Sequence, residues 1–178
     1  SFPTRRSSDL VNPVPVVLLI GTNENKNLLR MFDALRGLCC KVVIIGKMSD
    51  AQKQRLEENQ IDYENRIGLS DAEIFDSYVH CNIVSFISLF EGFGMIVVEA
   101  NKVGRPVICS DIPVLKEVAG ESALLVDPAD TDAMRRGLEK LLNDTDLQCR
   151  LVAKGFENAK RFDVKEIQRQ WLEFYKTV

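Results

Sequence analysis

The sequence predicts an α/β fold, a Rossmann-like parallel sheet of about six strands with helices on both faces, and three observations carry that expectation. Short apolar runs alternate with longer amphipathic ones through most of the 178 residues, the pattern of parallel strands joined by crossover helices. Most of those runs are apolar without interruption, as strands covered on both faces must be. At 46% hydrophobic and 28% charged, the chain has the composition of an ordinary soluble domain, with enough length to bury a core without staples.

Residues 1–13 carry no periodicity. With Arg5-Arg6-Ser7-Ser8 between Pro3 and Pro13, they read as a disordered tail or linker, and the domain is expected over 14–178. Strands are expected over 14–20, 41–45, 63–67, 83–86, 106–109 and 123–126. Helices are expected over 26–38, 51–59, 71–81, 94–103, 114–118 and 130–142, with two closing helices over 146–161 and 164–177. Ser70 and Asp71 ahead of Glu73 form a capping signal, and Asp127-Pro128 precedes the helix at 130. A doubly wound sheet binds ligands in the crevice beyond the carboxyl ends of its strands, so the loops there are where function is sought.

A net charge of −3 argues against nucleic acid as a partner, since binding through phosphates calls for a basic face. Five cysteines without C-x-x-C spacing, beside the single histidine His80, predict no metal site. Cysteines inside apolar runs, as in Val107-Ile108-Cys109, behave as small hydrophobes and fit a reducing cytoplasm. No apolar stretch approaches the roughly 20 residues that span a bilayer. His80 is expected to stabilise a helix end, and Trp171, Phe174, Tyr175 and Val178 to form packing surface.

The stretch from Ser88 to Ala100 leaves a strand, turns on Gly92 and Gly94, and enters a helix. Glycines there let backbone approach a ligand closely, and the helix start offers amides and partial positive charge to an anion. Glu91 stands before that helix and Glu99 about 7 to 8 Å along its axis. Two carboxylates flanking an anion site repel phosphate themselves but suit sugar hydroxyls on either side of it.

These residues resemble the family 4 glycosyltransferases, whose C-terminal domains carry two glutamates with seven residues between them around a Gly-Phe-Gly turn, matched by Glu91, Gly92-Phe93-Gly94 and Glu99. The likeness extends through residues 21–27 after the first strand, Gly104-Arg105-Pro106-Val107, Ser110-Asp111-Ile112-Pro113 with Glu117-Val118, Leu125-Val126-Asp127-Pro128 and Arg161-Phe162. The resemblance implies the C-terminal, donor-binding half of a GT-B fold. Glu91 and Lys26 are then the catalytic residues, Glu91 touching the transferred sugar and Lys26 neutralising the diphosphate. Gly21, Thr22, Asn25, Gly92, Phe93, Gly94, Met95 and Glu99 line the donor, Glu99 at the ribose. Thr22 stands where an arginine is common, leaving Lys26 the main cation. Ile87 and Ile96 replace prolines common in the family, and Asn82 an aspartate. Backbone around residues 67–70 is expected to meet the base.

The resemblance further implies a retaining hexosyltransferase of polysaccharide or glycoconjugate synthesis, acting in the cytoplasm without cofactor or metal. The donor is a nucleotide-diphosphate sugar, a UDP-sugar first and GDP-mannose second. An acceptor glycan, lipid-linked sugar or protein, together with any peripheral membrane contact, belongs to an N-terminal acceptor domain that would normally precede Val14 and is expected to be missing here, so transfer is expected to be absent or very low. Two rivals differ in class. A non-catalytic nucleotide-binding or interaction module of the same fold is separated by calorimetry with nucleotide sugars. A dinucleotide dehydrogenase is disfavoured because Gly21-Thr22-Asn23 does not continue into G-x-G-x-x-G.

Overall fold

The computed structural model describes residues 13–177. The expected tail over 1–13 therefore lies, but for Pro13, outside the described residues. Six strands run β1 Val16–Ile20, β2 Lys41–Ile45, β3 Tyr63–Arg66, β4 Ile83–Phe86, β5 Val107–Ser110 and β6 Ala123–Val126. Eight helices alternate with and follow them: α1 Leu28–Leu35, α2 Asp50–Glu58, α3 Asp71–His80, α4 Met95–Val103, α5 Pro113–Ala119, α6 Thr131–Asn143, α7 Thr145–Lys160 and α8 Val164–Thr177. All strand pairs are parallel, in the order β3-β2-β1-β4-β5-β6. The order reverses between β1 and β4, so the crevice lies beyond Ile20 and Phe86.

Strand alternation divides the core in two. On one face Val17, Leu19, Val42 and Ile44 meet Met31, Phe32 and Leu35 of α1, Leu56 of α2, and Met134 and Leu138 of α6. On the other, Leu18, Val43, Val84 and Phe86 meet Tyr78 of α3, Val97 and Val98 of α4, and Leu115 and Val118 of α5. Each such fully buried large aliphatic contributes about 1.5–3 kcal/mol relative to exposure. Outer strand β3 is only partly buried along its length, with polar Glu64, Asn65 and Arg66 at the sheet edge.

Two helix starts refine the sequence expectations. Ser70 does cap α3, its hydroxyl accepting from the Glu73 amide while the Glu73 carboxylate reaches back to Ser70. Ahead of α6 the cap is Asp130, whose carboxylate takes the Ala133 amide at 2.8 Å, whereas Asp127 bonds only the Ala129 amide in the preceding turn. The first helix is corrected more substantially: a helix over 26–38 is replaced by a 3₁₀ turn at Glu24–Lys26, a left-handed Asn27 (φ 57°), and α1 from Leu28. Asparagine is among the few residues that tolerate that conformation.

Helix α7 folds back across α4 and fixes it in place. Asn158 donates to the Asn101 side chain at 2.9 Å and to the Val118 carbonyl at 2.9 Å, and Ser122 donates to Asn101 at 2.8 Å. Among the cysteines, Cys39 and Cys149 are exposed and Cys40, Cys81 and Cys109 buried, all as free thiols. Burial pushes the thiols of Cys40, Cys81 and Cys109 up from 9.0 to about 11, 12 and 12. Because the folded values are raised, this contribution to stability is complete below about pH 9 and is lost as pH climbs through 11–12. A thiol reagent at mildly alkaline pH is therefore expected to label Cys39 and Cys149 in the native chain and the other three only after unfolding; peptide mapping of the labelled sites checks this.

Candidate functional site

The crevice is built from the loops after β1 and β4, which are tied to each other. The Leu89 amide donates to the Asn25 carbonyl at 2.8 Å, and the Asn25 side chain donates to the Phe90 carbonyl at 3.2 Å and to Glu91 Oε1 at 3.3 Å. From the neighbouring strand, Ser110 Oγ donates to the Ser88 carbonyl at 2.6 Å, anchoring the root of the Glu91 loop in the core. Asn27, in its left-handed conformation, holds the other loop by donating to the Pro128 carbonyl at 2.8 Å.

Lys26 leaves the 3₁₀ turn and lays its stem over Gly21, so closely that a Cβ there would stand 2.9 Å from Lys26 Cε. Its ammonium meets Glu91 Oε1 at 2.6 Å and stands 4.5 Å from the centroid of the Phe86 ring. The two charged side chains are only 16% and 14% exposed. A half-enclosed ion pair adds little net stability, because desolvation offsets attraction, yet removing one partner strands the other.

Gly94 opens α4 at φ 107°, with no side chain to accept from the first-turn amides. Helices α2, α3, α6 and α7, by contrast, are all capped by a Ser or Asp side chain. The mouth of α4 is thus an uncapped helix start beside Glu91, with Met95 54% exposed at its rim. One turn along, Glu99 is half-buried and accepts from the Tyr78 hydroxyl at 2.6 Å. Phe93 packs edge-on to Phe162, ring centroids 5.7 Å apart, which attaches the Gly-Phe-Gly turn to the segment after α7.

Of the residues expected at the site, Lys26, Asn25 and Glu91 come together directly, and Gly92, Phe93, Gly94 and Met95 form the adjoining turn. Thr22 does not join them. Its hydroxyl donates to the Lys47 carbonyl at 2.7 Å and its methyl packs against Gly46, so it braces the β1 loop against the β2 loop. Lys26 accordingly stands without a second cation supplied by Thr22's position. Sequence reasoning missed Phe86 and Tyr78, both aromatic residues in core elements, where nothing in the spacing separates a site contact from packing. His80 bonds back to the Asp76 carbonyl at 2.9 Å at the end of α3, a structural placement. A hollow of about 860 Å³ beneath α8, lined by Lys102, Phe156, Phe162 and Glu166 among others, shares none of the catalytic candidates. Among the described residues no group of three or more His, Cys, Asp or Glu is arranged to hold a metal, and no helix is long and apolar enough to cross a membrane.

The chain is similar to several known proteins. The chain is 34% identical over 101 residues to O-antigen chain mannosyltransferase B of Escherichia coli, covering 56% of this chain and 26% of that protein. It is 29% identical to a phosphatidyl-myo-inositol mannosyltransferase of Mycobacterium leprae (strain TN), covering 91% of this chain and 46% of that one. It thus spans less than half the length of either relative. A glycosyltransferase structure from Rickettsia africae ESF-5 superposes with a TM-score of 0.82 at 21% identity, over 96% of this chain and 49% of that one. Anabaena Alr3699/HepE, solved in complex with UDP and glucose, superposes with a TM-score of 0.79 at 18% identity, over 92% and 48%. At those identities the superpositions establish the fold alone, the Rossmann-like domain that makes up about half of each of those GT-B glycosyltransferase chains. The profile of the family described as glycosyl transferases group 1 matches residues 3–158, nearly nine-tenths of the sequence, and the chain belongs to that family.

Proposed function

We propose that this domain binds a nucleotide-diphosphate sugar at the β1/β4 switch point for retaining transfer of a hexose to an acceptor hydroxyl, in the manner of a family 4 enzyme. The observation that carries the reading is the meeting of Lys26 and Glu91, 65 residues apart in sequence, at 2.6 Å beside the uncapped start of α4. A cation, a carboxylate and free helix amides within one crevice match the three parts of such a donor. Lys26 and the α4 amides take the diphosphate, Glu91 a hydroxyl of the sugar, and Glu99 the ribose.

In the transfer, the bond between the anomeric carbon and the diphosphate breaks while the acceptor oxygen bonds that carbon on the same face. The acceptor proton passes to the departing phosphate oxygen. Negative charge grows on the diphosphate as it leaves, so groups already aimed there stabilise the transition state more than the ground state. Several relatives are named as mannosyltransferases, which supports GDP-mannose as a donor beside the UDP-sugars.

Binding has a further consequence. Without donor, Glu91 occupies Lys26, so a diphosphate must share or displace that carboxylate. Glu91→Gln is expected to leave affinity for UDP or GDP unchanged or raised by up to about 10-fold, while abolishing the extra affinity conferred by the attached sugar. Glu99→Ala is expected to weaken the diphosphate and the sugar conjugate alike. Calorimetric titration of both variants with both ligands tests this, and equal losses everywhere would reject the division of roles.

A further inference from the structure

Tyr78 lies outside the loops of the crevice, on the inner face of α3, and is only 2% exposed. A buried tyrosine hydroxyl needs a partner, and this one finds Glu99 Oε2 at 2.6 Å rather than a backbone carbonyl. Glu99 sits four residues after Met95, hence on the same face of α4 as the exposed rim of the crevice. A carboxylate offers about four acceptor positions over its two oxygens. Among the described residues Tyr78 takes one oxygen, and no hydrogen bond is made to Oε1.

We propose that Tyr78 is a positioning residue for nucleotide recognition: its hydroxyl pins the Glu99 carboxylate so that Oε1 is presented to the vicinal hydroxyls of the donor's ribose. The inference rests on the reading of Glu99 as the ribose contact. A free glutamate side chain must lose rotamer freedom when it binds, and a hydrogen bond already in place removes most of that cost. Burial, together with the Glu99 carboxylate, pushes the Tyr78 hydroxyl far above its ordinary range, so it remains a donor throughout working pH. Val97 and Val98 of α4 share the buried cluster of Tyr78, which keeps the ring in register with Glu99.

The test is calorimetric titration of wild type, Tyr78→Phe, Glu99→Gln and the double variant with UDP and GDP and with their 2′,3′-dideoxy counterparts. Tyr78→Phe is expected to weaken the ribose ligand about 5- to 10-fold, to leave the dideoxy ligand unchanged, and to add nothing in the Glu99→Gln background. Equal losses on both ligands, or a loss that persists beside Glu99→Gln, would overturn the positioning role and leave the Glu99 reading intact. A wild type indifferent to the ribose hydroxyls would instead remove the Glu99 reading and this inference with it. Should Tyr78→Phe fail to fold, Glu99→Asp, too short to reach both partners, is expected to show the same ribose-selective loss, and its absence would equally overturn the proposal.

Discussion

Lys26→Ala is expected to weaken binding of a nucleotide-diphosphate sugar by roughly 10- to 100-fold, the factor that a charged hydrogen bond of about 1.5–3 kcal/mol confers. The structure makes the argument sharper than charge alone. Lys26 is held from three sides: its stem lies on Gly21, its ammonium faces the Phe86 ring, and Glu91 fixes its end. A donor therefore meets a cation whose position is already set, so little ordering is spent on binding. Thr22 is turned toward Lys47 and offers no cation to substitute for it. Removing the ammonium also leaves the 14% exposed Glu91 carboxylate with only the Asn25 amide, an additional repulsion for an incoming diphosphate. Lys26→Met separates the packing of the stem from the charge, keeping a stem over Gly21 while deleting the ammonium. Titration of both variants with UDP-sugars and GDP-mannose decides the matter: unchanged affinity in either would remove the diphosphate from this position.

The fold was readable in the sequence because its inner strands are covered on both faces, which makes β1 wholly apolar and leaves β2, β4 and β5 one polar residue each, Lys41, Ser85 and Ser110, so that no amphipathic pattern conceals them. Even the weak run at 63–67 proved a strand, its polar residues belonging to a sheet edge. The start of α1 was not readable from periodicity, since Asn27 interrupts the chain by a backbone conformation and not by a change of polarity. That interruption matters to the site, for it places Lys26 at the end of a separate turn instead of in the first turn of a helix. The glycine turn and its two carboxylates were visible because glycine and charge at fixed spacing are local features. The meeting of Lys26 with Glu91 and that of Tyr78 with Glu99 were not, being contacts between side chains 65 and 21 residues apart that only the strand order brings together.

Gly94→Ala is expected to destabilise the chain by about 2–5 kcal/mol and to abolish donor binding, and the two glycines of the turn allow its causes to be told apart. Gly94 holds φ 107°, a conformation that costs an L-residue about 1–2 kcal/mol. A Cβ at that position would also stand 2.5 Å from Leu115 Cδ2, and Leu115 is fully buried in the core between α4 and α5, where a clash costs about 1–3 kcal/mol more. For a chain of this size the sum corresponds to a fall in melting temperature of roughly 4–20 °C. Gly92 differs on both counts: it has no left-handed φ, and a Cβ there meets nothing within 4 Å. Gly92→Ala is therefore expected to leave the melting temperature within about 1–2 °C of wild type. If it nevertheless weakens binding of UDP or GDP, the missing Cβ at 92 serves the approach of the ligand and not the fold of the turn. If Gly92→Ala binds normally, close backbone approach by the diphosphate is confined to the helix start at Gly94.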